Sequence, residues 1–114
     1  MNYDEYINEL NKYSDDKAVS KLAQLLNDWK SDDKTVTDLA KTTERYFGNS
    51  WIENEGIHSK LYQLWSDFRK EAIEGIGGMT MNERLYWFGL FEIFDRCLTE
   101  NDKQEIYAKL LAST

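Results

Sequence analysis

The sequence predicts an all-α fold: a compact five- or six-helix bundle, residues 1–114 forming a single helical domain around a central hydrophobic helix at about 81–98. Three observations carry this expectation. The chain has no proline and little glycine outside residues 75–78, which favours long helices and short connections. Capping signatures recur: Thr35-x-x-Asp38, Ser50-x-x-Glu53, Thr80-x-x-Glu83 and Thr99-x-x-Asp102. Finally, the apolar run Leu85–Leu98 is too long for one strand and begins just behind a capping box.

Taken in order, Tyr3, Tyr6, Ile7, Leu10 and Tyr13 fall at helical spacing over residues 3–13, a modest amphipathic helix with a fraying start. Ser14-Asp15-Asp16 opens a second helix, whose inward face is Val19, Leu22, Leu25, Leu26 and Trp29 and whose end lies near Lys30. A polar turn, Ser31–Lys34, leads to a third helix packed through Val36, Leu39, Ala40, Thr43 and Phe47, and expected to stop at Gly48-Asn49 in the left-handed manner. Ser50-x-x-Glu53 predicts a short helical turn over Trp51–Glu55. Ile57–Glu74 reads as a long amphipathic helix, ended by Gly75-Ile76-Gly77-Gly78. Thr99 caps the last helix, which packs through Ile106, Tyr107, Leu110 and Leu111.

On the central helix, steps of about 100° per residue gather Tyr86, Leu90, Ile93, Phe94 and Cys97, flanked by Trp87, Phe91 and Leu98. Leu85, Phe88 and Gly89 fall on the polar side with Glu92, Asp95 and Arg96. Either another element covers them, or they form an apolar and acidic strip that meets a partner.

Net charge is −7, from 21 acids and 14 bases, so the surface repels phosphates and nucleic acid is not an expected partner. An acidic balance suits a basic protein partner. One cysteine, Cys97, excludes an intrachain disulfide and suggests a reducing compartment. The first residues lack the basic and apolar stretches of a signal peptide, and no apolar run reaches membrane-span length. The expectation is a soluble, cytoplasmic protein without membrane contact, monomeric or weakly dimeric.

Chemistry finds little support. His58 and Cys97 are each the sole residue of their type, too few for a nucleophilic triad or a zinc site. Glu55-x-x-His58 has the spacing of a helical metal pair but occurs once, where di-iron bundles use it twice. Gly75-x-Gly77-Gly78 lacks a preceding strand and a following Gly-Lys-Ser/Thr, so it reads as an interhelical turn. No catalytic residue, metal or cofactor is expected, and the chain is not expected to be an enzyme.

Two aromatics stand apart from the packing faces. Trp51 lies in an acidic segment between Gly48 and Gly56, and Tyr46 lies off the main face of its helix. They are either interface anchors or a local staple over the connection. With acids on connections, they define the candidate partner surface: Asp32, Asp33, Tyr46, Trp51, Glu53 and Glu55.

The run Gly-Ile-Gly-Gly-Met-Thr-Met-Asn-Glu-Arg-Leu-Tyr-Trp-Phe-Gly-Leu-Phe-Glu-Ile-Phe-Asp, residues 75–95, resembles a segment of small acidic bacterial proteins encoded beside polymorphic toxins, the immunity proteins of contact-dependent growth inhibition systems. The resemblance implies a non-catalytic helical protein that binds a cognate toxin domain, often an RNase or other nuclease, and occludes its active site in the producing cell's cytoplasm. It assigns no binding residues. The alternative is a homodimeric structural or regulatory protein that pairs through the apolar arc of 81–98.

Overall fold

Side-chain caps set most of the element boundaries in the computed structural model, which describes residues 1–112. Asn2 and Glu5 form a reciprocal capping box that starts α1 (Tyr3–Asn11), so the first helix is pinned where fraying was expected. Asp16 accepts from the Ala18 and Val19 amides and starts α2 (Lys17–Trp29). Thr35 with Asp38 and Thr80 with Glu83 build the expected boxes at α3 (Val36–Asn49) and α5 (Met81–Phe88). Thr99 caps α7 (Glu100–Lys109).

Two boundaries differ from expectation. Gly48 and Asn49 remain helical, and α3 stops at Ser50 in extended backbone, with no left-handed residue. Residues 50–54 form no helical turn. Asn54, not Ser50, caps α4 (Glu55–Phe68). At its far end α4 widens into a π turn (Arg69–Glu74), then a 3₁₀ turn (Ile76–Gly78). A Cβ on Gly75 would stand 2.6 Å from the Glu71 carbonyl oxygen, so this tight exit requires glycine.

The larger correction concerns residues 81–98, which are not one helix. Gly89 adopts φ +64°, and the Leu90 N–H closes back on the Leu85 carbonyl at 3.0 Å, ending α5. A short α6 (Phe91–Asp95) follows, so the described residues hold seven α-helices where five or six were expected. The helical phase restarts at the break, and the predicted face is wrong for α5: Leu85 and Phe88 are buried, while Tyr86 is exposed. Another element does cover Leu85 and Phe88.

That element includes α1, which takes the central position expected of 81–98. Tyr3, Tyr6 and Leu10 are fully buried. The Tyr3 ring lies 5.4 Å from Trp29, 5.8 Å from Phe68 and 6.1 Å from Phe88, joining α2, α4 and α5. Its hydroxyl donates to the Leu26 carbonyl at 2.7 Å, and that of Tyr6 donates to Leu61 at 2.8 Å. Each buried phenol therefore keeps a polar partner while filling the core. The fold is all-helical and compact, with the N-terminal helix as its hub.

Candidate partner-binding surface

The connection from α3 to α4 exposes one large side chain by alternation. Ile52 turns inward and is buried, so its neighbours Trp51 and Glu53 turn outward. The Glu53 N–H donates to Asp16 Oδ2 at 3.2 Å, tying the connection to the start of α2. Asn54 then caps α4, and Glu55 stands exposed in its first turn, where the positive end of the helix dipole favours a carboxylate. Ile52 is therefore the staple of this connection, and Trp51, 76% exposed, is not.

Trp51 separates two hollows of unlike charge. On one side lie Lys17, Lys21, Tyr46 and Ser50. On the other lie Ile52, Glu55, His58 and Ser59. Tyr46 is half-buried, and its hydroxyl donates to the Ala18 carbonyl, pinning α3 to α2. Burial holds that hydroxyl above the ordinary tyrosine range, with a hydrogen bond from Ser50 opposing and the charge of Asp16 adding. Tyr46 is thus part of the framework, with its ring facing the lysine-side hollow.

The two remaining candidates lie at the opposite end of α3, whose 14 residues span about 20 Å. They differ sharply from each other. Asp32 accepts from Lys109 Nζ and from the Lys34 N–H, both at 2.9 Å. Lys109 also donates to the carbonyls of Asp32 and Lys34 at 2.9 Å, and its ammonium sits 4.1 Å from the centre of the Trp29 ring. This lysine side chain is only 3% exposed. Burial pushes its pKa down, opposed by the Asp32 carboxylate and more weakly by Asp33 and Asp38. Asp32 therefore clamps α7 to the α2–α3 turn. Asp33 points outward with a side chain 94% exposed, 3.8 Å from Lys34.

The six candidates thus divide into Tyr46, Trp51, Glu53 and Glu55 at one end and Asp32 and Asp33 at the other. Two polar centres were not foreseen. Besides the Lys109 clamp, Glu44 accepts from Tyr62 Oη at 2.9 Å, Trp65 Nε1 at 3.0 Å and the Arg69 guanidinium, joining α3 to α4. The donors' spacing of three and four along one helix was a readable signal; their convergence on Glu44 required the packing. Hydrogen bonding to Glu44 raises the Tyr62 pKa.

His58 packs edge-on against Phe47 at 5.8 Å, and the Cys97 thiol donates to the Ile93 carbonyl at 3.3 Å. Among the described residues no group of three or more His, Cys, Asp or Glu side chains is placed to hold a metal ion. Nor is any helix among them long and apolar enough to cross a membrane. Comparison with protein-family models, curated proteins and solved structures found no match to this chain.

Proposed function

We propose that this chain is an immunity protein that neutralises a cognate basic toxin domain, an RNase or other nuclease, by binding it and occluding its active site. The observation that carries the reading is Trp51. A tryptophan 76% exposed, set between the end of α3 and the buried Ile52, offers its ring as an anchor for a partner's pocket. Glu53 and Glu55 place negative charge on the side of it away from Lys17 and Lys21, and the chain's net −7 steers a phosphate-gripping partner towards the protein. The resemblance of residues 75–95 supplies the biological setting.

Stopped-flow mixing with the toxin domain encoded beside this chain tests the reading. The expected result is one-to-one association whose rate falls as ionic strength rises. Absence of association, or a rate indifferent to salt, counts against it.

A second reading, a homodimer, is favoured by Leu98, 93% exposed, together with Tyr86 and Phe91 on the same stretch. Sedimentation of the protein alone distinguishes them: a stable dimer at micromolar concentration supports this alternative.

A further inference from the structure

Lys109 sits in a polar seat that its own helix does not build. The Asp32 carboxylate and the carbonyls of Asp32 and Lys34 each stand 2.9 Å from the ammonium nitrogen, and the Trp29 ring forms a wall 4.1 Å away. Three acceptors match the three N–H donors of a primary ammonium, and the ring adds cation–π attraction. Bonds inside the α2–α3 turn hold each part of this seat. The Lys34 N–H donates to Asp32 Oδ1 at 2.9 Å, the Asp32 N–H to the Trp29 carbonyl at 3.3 Å, and Trp29 Nε1 to the Thr35 carbonyl at 3.2 Å. Tyr3 and Phe88 fix the Trp29 ring from the core side. None of these contacts involves α7. That helix and its C-cap bring only Ile106, Lys109 and Leu110 to the bundle as buried side chains, and the connection before it carries Leu98, 93% exposed. An element so lightly attached opens more readily than the core.

We infer that residues 29–35 form a preformed site for a primary alkylammonium group, the head of a lysine side chain, and that Lys109 fills it as the chain's own ligand. α7 is then a strap held by that occupancy, and its release opens the site to a lysine of another protein. Hydrogen bonding sets the selectivity. A quaternary ammonium has no N–H and would leave all three acceptors unpaired. A guanidinium spreads its donors over three nitrogens in a plane and does not bring three of them to one point. The charge of Asp32 then favours a cation over a neutral amine. This inference does not depend on the toxin reading, whose anchor Trp51 lies at the opposite end of α3.

The probe is n-propylammonium, which reproduces the lysine side chain beyond Cβ. It is added to the full-length Lys109→Ala variant and to the unaltered chain, with tetramethylammonium and potassium at equal ionic strength as controls. In Lys109→Ala, Tm followed by circular dichroism is expected to rise saturably, by about 5 °C at a tenfold excess over the dissociation constant. The controls should give no such rise, and Asp32→Asn in the same background should move the midpoint to at least about tenfold more propylammonium. If Lys109→Ala is unfolded, propylammonium is expected to restore its helical signal. In the unaltered chain, propylammonium should speed hydrogen exchange of the α7 amides by at least about threefold and leave those of α1 unchanged. A response shared by the controls, a midpoint unmoved by Asp32→Asn, or no response of Lys109→Ala overturns the site. α7 amides that exchange no faster with propylammonium overturn the strap.

Discussion

At the residue scale, two adjacent aspartates of identical chemistry have separate fates. Asp32 holds the buried Lys109, while Asp33 faces solvent. Asp32→Ala is therefore expected to lower stability by about 1–2 kcal/mol, and Asp33→Ala by less than about 0.5 kcal/mol, in urea unfolding. Equal effects would show that the clamp contributes nothing. Thr43 offers the opposite sign. Its hydroxyl is fully buried and has no hydrogen-bond partner among the described residues, so Thr43→Val should raise Tm by about 2–5 °C. Burial also holds the hydroxyls of Tyr3 and Tyr6 above the usual tyrosine range. Their folded pKa values exceed the unfolded value of about 10, so their stabilisation is complete below that pH and is lost as pH rises past it. Each contributes a decline of about 1.4 kcal/mol per pH unit there. Lys109, depressed by burial, has the opposite sign: stability rises with pH just below lysine's ordinary value of about 10.4 and levels off above it. Two phenols against one ammonium give a net fall. A late phenolate step coincident with loss of helical circular dichroism is the expected titration; these two phenols ionising in the intact fold would contradict it.

At the element scale, Gly89 decides how the C-terminal third is built. Its φ of +64° ends α5, and a Cβ there would stand 2.4 Å from Asp4 Oδ2, on the side chain that pairs with Lys30. Gly89→Ala is expected to cost about 1–3 kcal/mol in thermal or urea unfolding, through left-handed strain and displacement of Asp4. A neutral result would mean that residues 85–98 tolerate a continuous helix. The same glycine explains what could be read from the sequence. Caps are local, so Thr35, Thr80 and Thr99 announced their helices correctly. Periodicity across residues 85–98 assumed an unbroken phase, so Leu85 and Phe88 were assigned to the polar side. The central role of α1 was hidden for another reason. Nothing in the spacing of Tyr3 and Tyr6 reveals that Tyr3 lies against rings of three other helices and Tyr6 against α4. At the candidate surface, the isolation of Trp51 in an acidic segment was legible. The engagement of Asp32 with Lys109 was not, because its partner lies 77 positions away.

At the scale of the whole molecule, a radius of gyration of 14.4 Å is close to the ~13 Å of a compact domain of this length. Charge and function meet at this scale. In the proposed function, a chain of net −7 with its most exposed tryptophan beside Glu53 and Glu55 holds a basic protein. Trp51→Ala should leave the fold intact, since that side chain is mostly outside the core, yet weaken partner binding by about 2 kcal/mol or more. The most direct test is growth of cells expressing the protein encoded by the neighbouring reading frame, which the proposed function takes to be the toxin, with the unaltered protein or with Trp51→Ala supplied at equal levels. The unaltered protein is expected to restore growth, and the folded Trp51→Ala variant to do so poorly or not at all. Failure of the unaltered protein to restore growth, or full rescue by the variant, would contradict it.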